Sequence, residues 1–154
     1  MIQRIQTVYL LIAEMLIAAL FFVPFADIAG KEGSTYRFDI SGIYLSGVQN
    51  PEILYSSLPL VILCALSLIL ILVAIFRFKN RIVQMRISMI NIFLMFGISG
   101  LIYYYVWSGA KTLMGIYSFN IYLVFPLIAA VFIYLAKRAI NKDELLVRSI
   151  DRIR

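Results

Sequence analysis

The hydrophobic pattern of the chain consists of four long apolar segments separated by shorter polar ones. Residues 7–26, 57–76, 87–107 and 119–136 are 18 to 21 residues long and hold almost no charged side chains. A bilayer core roughly 30 Å thick requires about 20 helical residues at 1.5 Å each. Segment 57–76 is apolar on every face, whereas a membrane β-strand alternates in polarity. The pattern therefore predicts four transmembrane helices.

The connections between the segments predict how the helices are arranged. Residues 77–86 and 108–118 form short connections, which favour antiparallel neighbours. We therefore predict a single all-α membrane domain, residues 1–154, built as an up-down-up-down bundle of four transmembrane helices.

The outer loop, residues 27–56, is the longest connection and contains a strand-like pattern. Residues 36–40 alternate between apolar and polar side chains, and residues 43–45 follow after Ser41 and Gly42. This order predicts a small extracytoplasmic β-hairpin. The alternative is a loosely ordered loop whose aromatic side chains enter the membrane interface.

The tail, residues 137–154, predicts a C-terminal amphipathic helix. Asn141 followed by Glu144 is a helix-start signal, and the apolar residues that follow fall near one face. Such a helix would lie on the inner leaflet, where its arginines meet anionic headgroups. The alternatives are a cytoplasmic extension of the fourth span and a docking surface for a partner.

The composition excludes most classes of soluble protein. The chain is 63% hydrophobic and 14% charged, and its mean hydropathy is +0.95. It has no histidine and one cysteine, Cys64, so it cannot form an internal disulfide or the common zinc and iron–sulfur ligand sets. We therefore predict an integral membrane protein with no metal and no cofactor.

The basic residues predict the orientation in the membrane. Segments 1–6, 77–86 and 137–154 hold 11 of the 14 lysines and arginines, so the positive-inside rule places both termini in the cytoplasm. The first segment could instead be a signal peptide, but its apolar run is longer than the 7–15 residues typical of one. The charged residues of the predicted cytoplasmic face are Arg4, Arg77, Lys79, Arg81, Arg86, Asp143, Glu144, Arg148, Asp151 and Arg152.

Glu14 is the only acidic or basic side chain near the middle of a predicted span. Its charged form would cost on the order of 3 kcal/mol or more in hydrocarbon, so it is either functional or hydrogen-bonded within the bundle. The candidate polar partners are Asn91 and Ser88 on the third span and Ser67 on the second. We predict that Glu14 faces the third span, with Asn91 or Ser88 as its nearest polar neighbour.

The sequence contains no motif of an enzyme active site. The fingerprints of serine hydrolases, zinc proteases, P-loop proteins and dinucleotide-binding proteins are absent. The net charge of +6 comes from residues that determine topology, so it does not indicate nucleic-acid binding. We therefore predict a protein that is not an enzyme, whose partner is the lipid bilayer and whose cytoplasmic face is a candidate surface for another protein.

The two ends of the chain carry a family resemblance. The opening MIQRIQTVYLLIAEML and the ending AINKDELLVRSIDRIR resemble an uncharacterised family of small four-helix inner-membrane proteins of Bacteroidota, known as a domain of unknown function. The resemblance implies a location in the bacterial cytoplasmic membrane and brings no catalytic residue.

Two hypotheses for the function remain open: a non-enzymatic scaffold, assembly or accessory subunit, and a small transporter or lipid- or quinone-binding protein that uses Glu14. The oligomeric state is also open.

Overall fold

The computed structural model describes residues 3–30, 33–48, 52–77 and 80–151, except for the side chains of residues 3–4 and 146–151. These residues form four helices, one antiparallel sheet and a 3₁₀ turn. The helices are α1 (Gln3–Ala19), α2 (Leu58–Phe76), α3 (Arg81–Thr112) and α4 (Phe125–Asp151). The strands are β1 (Ala26–Ala29), β2 (Thr35–Phe38), β3 (Gly42–Leu45), β4 (Ile53–Ser56) and β5 (Ile116–Phe119), and the 3₁₀ turn Ile121–Val124 leads into α4.

Three of the helices are long and apolar enough to cross a membrane. They are α2, α3 and a segment of α4 with the preceding turn, and only 28% to 33% of their most apolar windows is buried. A helix of this kind requires lipid or another protein to cover it, which is consistent with a membrane protein. The described part of α1 is a shorter apolar helix, Ile5–Ala19, so the first of the four predicted spans stays a prediction.

The outer end predicted for the first span, residue 26, was wrong. Helix α1 ends at Ala19, and short-range backbone hydrogen bonds from Leu20 to Ile17 (3.1 Å) and from Phe21 to Ala18 (3.1 Å) follow it. Pro24 has no N–H to continue the helix, and the N–H of Phe25 donates to the carbonyl of Phe38 at 2.7 Å. The last residues of the predicted span therefore lead into a sheet.

The sheet has five strands in the order β4-β3-β2-β1-β5. The predicted hairpin is confirmed, because β2 pairs with β3 and joins Tyr36 to Leu45 and Phe38 to Ile43. The fold is mostly helical, but the sheet is larger than the predicted hairpin, because the first loop also forms β1 and β4. Strand β5 joins from the connection before α4 and pairs Ala26 with Phe119.

Two glycines allow the sheet to close and to pack. Gly42 begins β3 with a φ of +147°, and a Cβ there would overlap the carbonyl oxygen of Tyr55 on β4. Gly109 lies on α3, where a Cβ would overlap the Cδ1 atom of Ile43. Gly42 therefore needs a residue without a side chain, and a side chain at Gly109 would displace that of the buried Ile43. Phe38, Ile28 and Ile43 are buried on this face of the sheet.

The helices differ in extent from the predicted spans. The fourth span was predicted to begin at residue 119, but residues 116–119 form β5 and α4 begins at Phe125. Helix α3 begins at Arg81, so the second connection is shorter than predicted. The tail does not form a separate amphipathic helix, because α4 continues without a break to Asp151. The C-terminal part of α4 contacts α1 through Gln6 and α3 through Arg81. These contacts stabilise the helix beyond the apolar segment.

Candidate functional site

A buried polar cluster joins α1, α3 and α4 at the end of α3 that lies farthest from the sheet. The Nε2 atom of Gln6 donates to Oδ2 of Asp143 at 2.6 Å, and Nη1 of Arg81 donates to the carbonyl oxygen of Asp143 at 3.1 Å. Arg81 also lies 3.9 Å from the carboxylate of Glu144. We call Gln6, Arg81, Asp143 and Glu144 the helix-end cluster.

The burial of the helix-end cluster makes its hydrogen bonds important for stability. Gln6 is 5% exposed and Asp143 is 7% exposed, so neither side chain has water as a ready substitute partner. Removing one member of a buried pair leaves the other unsatisfied, at a cost of about 1–3 kcal/mol. The cluster therefore fixes the position of the α4 tail against α1 and α3, as a structural contact between helices.

A second polar contact joins α2 and α3 within the apolar part of the molecule. The Oγ atom of Ser67 donates to Oδ1 of Asn91 at 2.7 Å, and Nδ2 of Asn91 donates to the carbonyl of Ser67 at 3.1 Å. Both side chains are buried. Ser88, also buried, donates to the carbonyl of Gln84 at 2.9 Å in its own helix. All three predicted polar partners are thus engaged elsewhere.

The hydrogen bond predicted for Glu14 was wrong. Glu14 lies on α1, whose main neighbours are α4 and, to a lesser extent, α2, rather than α3. Its Oε2 atom is buried and has no hydrogen-bond partner, the one such side-chain atom among the residues described. The reason is the packing of α1 against α4 and α2, and Ser67 and Asn91 pair with each other instead.

The sheet carries a more exposed set of polar contacts. Arg37 on β2 lies 3.4 Å from Asp27 on β1, with both side chains substantially exposed, and Nδ2 of Asn120 lies 3.3 Å from the other carboxylate oxygen of Asp27. Burial and the negative charge of Asp39 raise the pKa of the Tyr44 phenol. A phenol is neutral near pH 7 even at its ordinary pKa of about 10, so Tyr44 adds no charge to this surface.

A pocket of about 160 Å³ lies between the sheet and α3. Its lining includes Tyr55 on β4 and Tyr104, Tyr105 and Ser108 on α3. Its lining contains hydroxyl groups but no acidic, basic or thiol side chain, so it holds no general base that could activate the hydroxyl of Ser108 as a nucleophile. The pocket is therefore a hollow beneath β4 with aromatic walls.

The remaining residues predicted at the cytoplasmic face differ in how far the structure describes them. Arg77 and Arg86 are exposed and take no part in the helix-end cluster. Lys79 and Arg152 lie outside the described residues. Arg4, Arg148 and Asp151 lie in helices, but their side chains are outside the described part.

Sequence reasoning gave too little weight to three amide side chains. Gln6 and Gln84 are buried in helices, and Asn120 joins β1 to the turn before α4 through Asp27 and the carbonyl of Pro24. The sequence does indicate a buried polar face for Gln84 and Ser88, since they lie four residues apart and so share one helix face.

Within the described ranges, no three His, Cys, Asp or Glu side chains are grouped closely enough to hold a metal ion.

Residues 2–153 match the family described as Domain of unknown function (DUF4293). The match covers nearly the whole chain, and it therefore includes the helices, the sheet and the helix-end cluster. No curated protein matches the chain.

Proposed function

Since the chain belongs to the DUF4293 family, whose function is unknown, we propose a function from its own geometry: a non-enzymatic membrane scaffold, assembly factor or accessory subunit. The proposal includes a bacterial cytoplasmic membrane, four spans in an up-down-up-down order, and both termini in the cytoplasm. The observation that carries it is the open edge of the sheet at β4, which a strand of a partner protein can extend.

Among the described strands, β4 is the terminal one on one side of the sheet and lies next to β3 alone. All four of its residues are exposed, and Ile53, Leu54 and Tyr55 keep 55%, 50% and 44% of their surface. An apolar edge strand presents unpaired backbone groups, and proteins normally cover or charge such an edge. Addition of a partner strand supplies backbone hydrogen bonds and covers these side chains.

The opposite edge, β5, is the weaker candidate for docking. Its Phe119 ring stacks on Tyr103 of α3 with centroids 5.9 Å apart, and the following Asn120 N–H donates to the carbonyl of Phe25 at 2.9 Å. These contacts hold the Phe119 end of β5 against the rest of the molecule, although its first three residues are exposed, whereas all four residues of β4 are exposed.

The buried polar residues support a structural role over an enzymatic one. Gln6 is paired with Asp143, and Ser67 with Asn91, so these groups are occupied by one another. An active site instead needs groups that are aimed at a substrate. This pattern favours the accessory role.

Site-specific photo-crosslinking in living cells tests the proposal. A photoreactive residue at Tyr55 of the full chain should crosslink to one discrete protein, and Leu54→Lys should reduce that product at least fivefold, since a lysine on an edge strand opposes pairing. A photoreactive residue at Trp107 is the position control, because Trp107 is 47% exposed and lies at the end of α3 that is near the sheet, but not on β4.

Val48→Lys is the charge control, because Val48 is 50% exposed, as Leu54 is, but lies outside β4. Equal products from Tyr55 and Trp107, or a Tyr55 product unchanged by Leu54→Lys, would contradict the proposal.

A photoreactive residue at the exposed Lys142 tests the cytoplasmic face, the docking surface that the sequence suggests. A discrete crosslinked product at Lys142 and none at Tyr55 would show that the partner binds the cytoplasmic face and not β4.

Glu14 supports a second candidate, a small transporter or a lipid- or quinone-binding protein. The specific observation is its buried Oε2 atom without a hydrogen-bond partner, because such groups are rare in folded proteins and an ionisable residue within a membrane span commonly has a function. Glu14→Gln keeps the shape and removes the acid. Loss of co-purifying lipid or quinone at unchanged protein level would support this candidate, and unchanged lipid, transport and growth would exclude it.

A further inference from the structure

An open pocket of about 320 Å³ lies between α3 and α4, and it is lined by Met85, Tyr134, Lys137, Arg138 and Asn141. Two of the five residues are cations, and Tyr134 and Asn141 add a hydroxyl and an amide that can donate hydrogen bonds. The size is at the lower end of that of small-molecule sites. The lining is suited to an anion.

The two cations of this pocket have no acidic partner among the described side chains. The Nζ atom of Lys137 lies 2.8 Å from the sulfur of Met89, which is only a weak hydrogen-bond acceptor. The nearby acids are engaged elsewhere, since Asp143 accepts from Gln6 and Glu144 faces Arg81. Two positive charges therefore remain available in one pocket.

Exposed apolar side chains continue from the pocket along both helices. On α3, Met89 and Phe93 follow Met85 at four-residue intervals and keep 44% and 67% of their surface. On α4, Val131 and Leu127 precede Tyr134 on the same helix face and keep 57% and 40%. Residues three or four apart share a helix face, so an apolar surface begins where the cationic pocket ends.

We propose that this pocket binds the phosphate group of an anionic phospholipid whose acyl chains lie along the adjoining faces of α3 and α4. The phosphate is the negatively charged partner that Lys137 and Arg138 lack among the described side chains. The acyl chains cover the exposed apolar side chains. A soluble phosphate compound would satisfy the cations and leave the apolar surface uncovered. Basic pockets between membrane helices are known to bind such headgroups.

The predicted membrane orientation places this pocket at the inner leaflet. Lys137 and Arg138 begin the predicted cytoplasmic tail, and Tyr134 lies at the depth where aromatic residues prefer the interface. Anionic lipids attract basic residues that lie at this surface. The proposal does not depend on the partner at β4, because the pocket and that strand lie at different ends of α3.

Native mass spectrometry of the full chain in detergent tests the proposal. Phosphatidylglycerol and phosphatidylcholine with the same acyl chains are the two probes. We expect the wild-type chain to bind phosphatidylglycerol at least tenfold more tightly than phosphatidylcholine. The pocket double variant, which combines Lys137→Gln and Arg138→Gln, should lose most of this preference. Arg77→Gln with Lys142→Gln is the matched control, since it removes two exposed charges outside the pocket and should change the preference less than twofold.

Three outcomes would overturn the proposal: no preference in the wild-type chain, equal loss in the two double variants, and displacement of phosphatidylglycerol by an equimolar amount of inorganic phosphate. The last outcome would assign the pocket to a soluble phosphate compound. Circular dichroism checks folding. If the pocket double variant does not fold, Arg138→Gln and Arg138→Lys replace it, because Arg138 is exposed. The preference should then fall with glutamine and persist with lysine.

Discussion

The two ends of α3 are held in place by opposite kinds of contact. At the sheet, Gly109 lies against Ile43, and the contact depends on the absence of a side chain. At the helix-end cluster, roughly 40 Å away at 1.5 Å per residue, Arg81 and Asp143 depend on the presence of polar partners. The sheet end should therefore be sensitive to added bulk, and the cluster to the loss of one hydrogen-bonding group.

Gly42→Ala tests the sheet end and should have the largest effect. The φ of +147° is unfavourable for alanine, and the new Cβ would overlap the carbonyl oxygen of Tyr55. Backbone strain and overpacking each cost about 1–3 kcal/mol, so we expect the free energy of unfolding to fall by about 3 kcal/mol. Unfolding in mixed detergent micelles, followed by circular dichroism, measures this change.

Gly97→Ala is the control for that variant, because a Cβ at Gly97 meets no other atom within 4 Å. Alanine is favoured over glycine inside a helix by up to about 1 kcal/mol, so this variant should be neutral or more stable. Equal destabilisation by Gly42→Ala and Gly97→Ala would show that the sheet end is not more tightly packed than the exposed face of α3.

Asp143→Ala tests the helix-end cluster. It leaves the Gln6 amide buried without its acceptor at 2.6 Å, so we expect the free energy of unfolding to fall by about 1–3 kcal/mol. Asp143→Asn keeps an acceptor oxygen and should cost less. The variant Asp143→Ala with Gln6→Ala should cost less than the two single variants combined. Strict additivity would mean that the two side chains do not stabilise the fold as a pair.

Asn91→Ala extends the comparison to the contact between α2 and α3. The change removes both hydrogen bonds with Ser67, and interhelical hydrogen bonds in membrane proteins contribute only about 0.6–2 kcal/mol. A double-mutant cycle with Ser67→Ala measures the coupling through the Ser67 hydroxyl, since alanine keeps the carbonyl that accepts from Asn91. A coupling energy near zero would indicate that this hydroxyl bond orients the helices without stabilising them.

The sequence predicted the apolar segments more reliably than the elements that depend on distant residues. The 57–76 segment coincides closely with α2 because its apolar character is local. Strand β5 was missed because its pairing with β1 brings Ala26 beside Phe119, and no local pattern specifies that contact. The hairpin of β2 and β3 was predictable, since its alternation and its turn lie within one short stretch.

The polar residues show the same limit at the candidate site. Glu14, Asn91 and Ser67 were recognisable as polar residues within apolar segments, but their partners depend on which helices are neighbours. Helix α1 packs chiefly against α4, and this arrangement separates Glu14 from the partner that depth alone suggested. Gln6 and Asp143 are 137 residues apart in sequence, so their pairing required the complete fold.

Arg37→Gln should have the smallest effect, and it sharpens the comparison within the sheet itself. Arg37 on β2 is the neighbour of Tyr44 in the pairing with β3, so it lies close to Gly42. Its ion pair with Asp27 spans 3.4 Å, but the side chains are 46% and 36% exposed, and such pairs contribute about 0–1 kcal/mol. We expect a loss of free energy of unfolding below about 1 kcal/mol at low salt, and a smaller one in 1 M salt, where the screening length is about 3 Å. A loss close to that of Gly42→Ala that shrinks in salt would show that charge as well as backbone geometry determines the stability of the sheet, whereas a loss that does not change with salt would show that Arg37 acts through packing and not through its charge.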